Sequence, residues 1–419
     1  MAATITTADK ILKYIYTSRA LQNAVYEKNP LFALMPKAGG FNGRSMIHAI
    51  TYGNSLARSA AFATAQSRAN VNGVATGIEG DVGKNLDINF TVTRVKNYAM
   101  YTIEQELLLA ANGDRASFVK GLTQLVDGTL QTLRNDFGRD VYGDGSGALG
   151  QLTSVSGTTF GVGEAITQIE VGMLLVGSTG STKTAALRGG TGQYVTTVNR
   201  SAGTFTVNAN TDALAVGDWL FIKGDRPSAA VTNATALKIS GLDAWNPYTA
   251  PTSGDSFFGT DRSVDVTRLS GQRLDISSYQ PEEGYITALA ALAREDGDPS
   301  HIFTSYTDEK NLKLALGSRV DSEYTQVGEI GFESIRLRGP NGTVKVYADR
   351  NAPVGYARIL TMDTWELRHL GDLVNNGSAG NDGGLAREYQ ADRFEGRMSF
   401  YGNMLCYKPA ANMVVALPT

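Results

Sequence analysis

The sequence has 419 residues, of which 42% are hydrophobic and 19% charged, with a formal net charge of −3. That length permits two or three domains and a sizeable core, and the near-neutral charge excludes an overall basic field drawing the chain onto nucleic acid. A single cysteine, Cys406, excludes an intramolecular disulfide framework and fits a reducing compartment.

The 47 glycines exceed the usual share of roughly 7% and point to many turns and loops. No apolar run approaches the ~20 residues of a membrane span. The first residues, Met1-Ala2-Ala3-Thr4, carry no charged-then-apolar leader. The expectation is a soluble cytoplasmic product used at full length.

Residues 8–26 place Ile11, Leu12, Ile15, Leu21 and Val25 at loose three-to-four spacing, which predicts a helix. Asn29-Pro30 ends it and opens an extended stretch with Leu31, Phe32, Leu34 and Met35. Residues 45–102 then read as one long, open β-hairpin. Its returning limb alternates Leu86, Ile88, Phe90 and Val92 on one face with Asp87, Asn89, Thr91 and Thr93 on the other. The outgoing limb, around Met46, Ile47, Ala49, Ile50 and Tyr52, matches less well. Between the limbs, residues 55–85 are rich in Ala, Ser, Asn and Gly, with Leu56, Phe62, one Ile and a few Val as the larger apolar groups. Ordering such an arm costs about 1–2 kcal/mol of backbone entropy per residue. Either it is disordered or another subunit holds it, and the second reading makes the chain an assembly unit rather than an enzyme.

The strongest helical pattern follows at 114–142. Phe118, Leu122, Leu125, Val126, Leu130, Leu133, Phe137 and Val141 form one apolar stripe on a helix roughly 40 Å long. Arg115, Lys120, Gln124, Asp127, Arg134 and Asp136 occupy its other face, so it would serve as a spine across a flat subunit. From about 160 to 225 short β-like runs at 172–176, 194–198, 204–207 and 218–222 alternate with turn signals, which suits a small barrel or sandwich inserted into a larger domain. Residues 226–385 return to mixed character. Helices are predicted at 281–293 and 306–316, and strands at 301–304, 342–347 and 357–362. A hydrophilic loop at 375–384 precedes a final strand region at 393–407.

The inventory for catalysis is poor. His48, His301 and His369 are isolated, and none has metal-type spacing. Cys406 sits in the apolar run Asn403-Met404-Leu405-Cys406-Tyr407 and reads as a small buried hydrophobe rather than a nucleophile. Gly145-Ser146-Gly147-Ala148-Leu149-Gly150 spells GxGxxG, but a helix precedes it and a Thr/Ser-rich stretch follows, the reverse of a dinucleotide turn. It reads as a connector at the helix exit. The run from Gly177 to Thr184 lacks the glycine before Lys183 that a phosphate loop requires. Glu104/Glu106 and Glu282/Glu283 are helix-start charges rather than an acid/base pair. Within the arm, Arg58 and Arg68 face Glu79 and Asp81 across the same loop. They are either solvated charges or inter-subunit ion pairs that fix register between neighbours.

The order of parts resembles the major capsid proteins of tailed bacteriophages, with the Hong Kong 97-type coat fold. The resemblance rests on the N-arm Asn29-Pro30-Leu31-Phe32-Ala33-Leu34-Met35-Pro36-Lys37, the long loop hairpin, the spine helix and the closing Arg393-Phe394-Glu395-Gly396-Arg397-Met398-Ser399-Phe400-Tyr401-Gly402-Asn403-Met404. Tyr347-Ala348-Asp349-Arg350-Asn351-Ala352-Pro353 and Thr364-Trp365-Glu366-Leu367 look like that family's axial-domain core. The resemblance implies an α+β fold. Its parts would be an N-terminal arm at 1–44, an extended loop at 45–102, a peripheral domain with the spine helix at 103–158, and an axial domain at 226–385. The chain would return to the peripheral domain at 386–419. Residues 159–225 depart from the minimal fold as a β-rich insertion.

The function implied is that of a major capsid protein assembling as hexamers and pentamers of an icosahedral head around double-stranded DNA. DNA would be met by non-specific contact, and no membrane, cofactor, metal or catalytic residue is expected. Further partners implied are a separate scaffolding protein, a portal and decoration proteins. The subunit would be made in the bacterial host cytoplasm and reside in the virion capsid. Inter-subunit contact candidates are Arg58, Arg68, Glu79 and Asp81. The rivals are an encapsulin-like nanocompartment shell, an extracellular β-rich surface protein, and an enzyme of unrecognised chemistry.

Overall fold

The computed structural model describes residues 18–419 apart from 56, 70–84, 107–114, 182–184, 227–235, 328–329, 379–380, 383–384, 390 and 419. Helix Ser18–Tyr26 leads into a second short helix, Pro30–Leu34, where the sequence predicted extended chain. Pro30 sits in the first turn of that helix, where its missing N–H leaves no bond unmade and its fixed φ suits the helical entry. Lys37 finishes the turn from the other end, donating from Nζ to the carbonyls of Phe32, Ala33 and Met35 at 2.6, 3.1 and 2.8 Å.

The spine is helix Arg115–Asp140, about 39 Å long at 1.5 Å per residue. Val126, Leu130, Leu133 and Phe137 are buried along it, whereas Leu125 turns out of the stripe and is 39% exposed. Phe32 stacks on Phe137 with ring centroids 5.2 Å apart, so the N-terminal segment lies along the spine. Gly138 permits the close approach. A Cβ there would stand 2.3 Å from Asn351 Nδ2 and 2.5 Å from Asn29 Oδ1, two amides that bond each other at 3.0 Å.

Three seven-stranded sheets carry the rest of the fold, and the described chain is 27% helical and 38% strand. The first is built on one long strand, Arg393–Cys406. Strand Val95–Glu104 pairs with it antiparallel over its whole length, from Val95 opposite Gly402 to Glu104 opposite Arg393. Its burial alternates strictly, with Val95, Asn97, Ala99, Tyr101 and Ile103 inside. Residues 95–102, which the sequence placed on the hairpin, therefore belong to this sheet, and the hairpin ladder stops at Thr93. Strands Trp365–His369 and Asn375–Ser378 pair with the other side of the long strand. Part of the predicted 375–384 loop is thus a strand in this sheet.

The second sheet runs Gln272–Asp275, Met413–Ala416, Tyr356–Leu360, His301–Thr304, Gly342–Ala348, Ile330–Gly339 and Ser322–Val327. Helices Pro281–Arg294 and Tyr306–Leu316 share its core through Tyr285, Leu289, Leu292 and Leu312 against Ile302, Val346 and Ile359. The third sheet lies wholly within 148–222, from Ala148–Gln151 to Trp219–Ile222, around its own core of Leu149, Phe160, Leu175, Val195, Phe205 and Leu220. This β-rich unit opens earlier than the predicted residue 159. Gly145 and Gly147, at φ 85° and 81°, turn the chain from the spine's end into its first strand. The GxGxxG run is therefore a helix-to-strand turn, without the helix N-terminus a dinucleotide phosphate requires.

Candidate functional site

The hairpin pairs Ser45–Gly53 with Leu86–Thr93, from Ser45 opposite Thr93 to Gly53 opposite Leu86. Its two ends meet different surroundings. Near the root, Phe90 and Val92 are fully buried and His48 and Ile50 nearly so. Phe90 packs against Trp245 and Phe257 with centroids at 5.5 and 6.1 Å. The Trp245 indole N–H donates to Met404 O at 3.0 Å, and His48 Nε2 lies 2.9 Å from Cys406 O. Phe258 O accepts from Thr91 N at 3.0 Å, Thr260 Oγ1 donates to Asn89 O at 2.8 Å, and Arg268 Nη1 donates to Tyr52 O at 2.5 Å. Aromatic packing and backbone bonds together hold the paired strands against the body, with the Tyr52 contact at their outer end. Burial pulls the His48 imidazole below its ordinary value, which suits a neutral structural histidine.

Farther out the cover ends. Leu86 and Ile88 are half-buried, and helix Phe62–Ala69 opens with Phe62 at 82% exposed. Arg58 is exposed on the approach to this helix, and Arg68 falls in its last turn. Glu79 and Asp81 lie outside the described residues.

Two surfaces that the sequence did not flag flank the hairpin root. The first is a groove of about 740 Å³ between the spine and strand Val95–Glu104, walled by Tyr98, Met100, Leu125, Gly128 and Thr132. Tyr98 and Met100 are each 52% exposed there. The second is a groove of about 820 Å³ lined by Arg44, Arg94, Lys96, Tyr98 and Lys238, together with Asp225. Asp225 is already paired to Lys238 at 2.9 Å. The usable signal was Arg94-Val95-Lys96, a cation at the break between two strands followed two positions on by an outward one.

Among the described residues, no group of three or more His, Cys, Asp or Glu gathers in a way that could hold a metal ion. Cys406 is fully buried, and burial pushes its thiol well above the ordinary range, away from nucleophilic use. His301 is stacked on Tyr347 at 5.6 Å inside the second sheet. No described helix is long and apolar enough to cross a membrane.

No family model and no curated protein matches the chain. Among solved structures, it is similar to a chain of the cyanophage A-1(L) capsid asymmetric unit, at 10% identity and a TM-score of 0.47, covering 93% of this chain and 92% of that one. The capsid of a native GTA particle matches at 8% identity and a TM-score of 0.43, covering 94% and 91%. A virus-like particle from Pyrococcus furiosus matches at 9% identity and a TM-score of 0.38, covering 95% and 96%.

Proposed function

We propose that this chain is the structural subunit of a closed shell, the major capsid protein of a phage head, assembling as hexamers and pentamers around double-stranded DNA. The observation that supports the reading most directly is the hairpin: a root clamped by Trp245, Phe90 and Phe257, and a distal helix whose Phe62 is 82% exposed. An arm held firmly at one end and left uncovered at the other is suited to lie across an adjacent copy. Closed shells need no single strong contact, because many modest interfaces add through multivalency. A separate scaffolding protein, a portal and decoration proteins would complete the particle, and DNA contact would be non-specific and salt-dependent.

The test is deletion of 55–85. The expected product is a folded, cooperatively melting subunit, its far-ultraviolet spectrum lacking only the contribution of helix Phe62–Ala69, that no longer forms closed shells by negative-stain microscopy. Shells at normal yield from the deleted chain would overturn the arm's role. Wild-type shells filled with a protein cargo and free of nucleic acid would overturn the phage-head reading in favour of a nanocompartment.

A further inference from the structure

Arg44 and Arg94 stand opposite each other where the hairpin ladder leaves the body, with Arg94 N donating to Arg44 O at 2.9 Å. Lys96 is two positions on and exposed on the same groove wall. Like charges directly opposite on neighbouring strands are destabilising. Among the described residues no carboxylate makes an ion pair with any of the three. Arg94 Nη1 donates to Phe41 O at 3.0 Å, which fixes its position without neutralising it. Lys96 and Arg94 both act on one phenol, Tyr401. Burial raises the Tyr401 hydroxyl, yet hydrogen bonds with Ser399 and Tyr98 and the charges of Lys96 and Arg94 bring it below its ordinary value. The sequence of 227–235, Pro-Ser-Ala-Ala-Val-Thr-Asn-Ala-Thr, contains no carboxylate.

We infer that the groove of Arg44, Arg94 and Lys96 receives the acidic Glu79-Gly80-Asp81 segment of a second copy of this chain. The inference rests on the shell reading and names the surface on which the arm lands. Complementary charge within one sequence makes the match, since Glu79 and Asp81 are the acidic residues of 55–85. The chain's own Asp81 is excluded by reach. Arg94 lies nine residues from Asn85 along an extended strand, about 30 Å. The four residues from Asn85 back to Asp81 span at most about 14 Å and the six back to Glu79 about 21 Å, so the chain's own two carboxylates cannot both reach the groove. A neighbour's arm has no such constraint. Fixed charges at both ends would set register more than raw affinity.

The experiment uses the full-length chain and a labelled synthetic peptide of residues 70–85. Arg44 and Lys96 are exposed, so R44E/K96E leaves the core untouched. The expected result is peptide binding to wild type that weakens roughly tenfold in R44E/K96E and on raising salt, as for lost close charge pairs. An E79K/D81K peptide should lose affinity for wild type and recover it on R44E/K96E. In assembly, each charge reversal should lower shell yield and the combined variant should restore it. Equal binding to wild type and R44E/K96E, or no recovery in the swapped pairing, overturns the inference. Loss of double-stranded DNA binding in R44E/K96E with shells and peptide binding unchanged assigns the groove to nucleic acid and also overturns it. Peptide binding is read without shells, so failure of the shell reading shows separately, as a wild-type chain that never closes.

Discussion

Two titratable residues, His301 on the second sheet and Asp349 just past one of its strands, pull the acid stability in opposite directions. His301 is confined between Ser300, Lys345 and the ring of Tyr347; burial, then the charge of Lys345, brings its imidazole down to about 4, against a weaker opposing pull from Asp363. The unfolded chain therefore takes up a proton first, near 6.5, and stability present above that value is lost as pH falls toward 4. Asp349 is 1% exposed, and burial raises its carboxyl to about 6 despite bonds from the Asn351 amide and its neighbours. Here the folded chain binds the proton first, so acidification from about 6 to 3.8 adds stability. Each effect is at most about 3 kcal/mol, with the His301 contribution reduced by its partial exposure to solvent. Urea midpoints between about pH 7 and 4 separate them. His301→Gln should flatten the acid-side loss, and Asp349→Asn should steepen it; the same pH profile in both variants would show that neither residue governs it.

At the scale of elements, the hairpin is two objects joined end to end, and substitutions should separate them. Phe90 is fully buried between Trp245 and Phe257, so Phe90→Ala removes a packed ring and is expected to cost about 3–5 kcal/mol of subunit stability. Phe62 is 82% exposed, so Phe62→Ala should leave subunit stability within about 0.5 kcal/mol while lowering shell yield. Thermal melts beside assembly yields decide it: a large stability loss from Phe62→Ala would mean that the subunit itself covers that ring. The alternation of Leu86, Ile88, Phe90 and Val92 was legible in the sequence, because a period of two reports which face is buried. Equal alternation at Val95–Glu104 could not say which strand lies alongside, and its partner is about 300 residues away. Pro30 was misread for a similar reason. Proline forbids the interior of a helix and favours its first turn, and only the packing of Phe32 on Phe137 decides between them. The groove of Arg44, Arg94 and Lys96 was hidden because its charges come together only when strands 45–53 and 86–93 pair.

The whole molecule interleaves two sheets and sets the third apart. Trp365–His369 leaves the second sheet's stretch of sequence to join the first, and Met413–Ala416 crosses back into the second, so neither sheet can be removed without opening the other. Order along the chain therefore revealed the parts but not where one ends. The unit at 148–222 is different: every strand of its sheet and every residue of its core comes from that stretch or its edge. It meets the body through side-chain and backbone bonds of modest strength, Gln168 Nε2 to Asn351 Oδ1 at 2.8 Å, Thr307 Oγ1 to Glu164 Oε1 at 3.0 Å and Arg350 Nη2 to Thr167 O at 3.3 Å. Gln151 and Trp219 are cross-strand partners, so their backbones already stand about 5 Å apart. Replacing 152–218 by an Asn-Gly turn should close the two strands as a short hairpin and leave the other two sheets folded. Losing these three bonds, those of Lys223 to Leu174 O and Thr191 O, and that of Arg226 to Ala185 O, at about 1 kcal/mol net each, is small beside the two remaining cores. The expected product is a soluble, cooperatively melting chain that keeps hydrogen-exchange protection in Arg393–Cys406 and His301–Thr304. An unfolded or aggregated product would mean that the insertion braces the spine's end rather than riding on it.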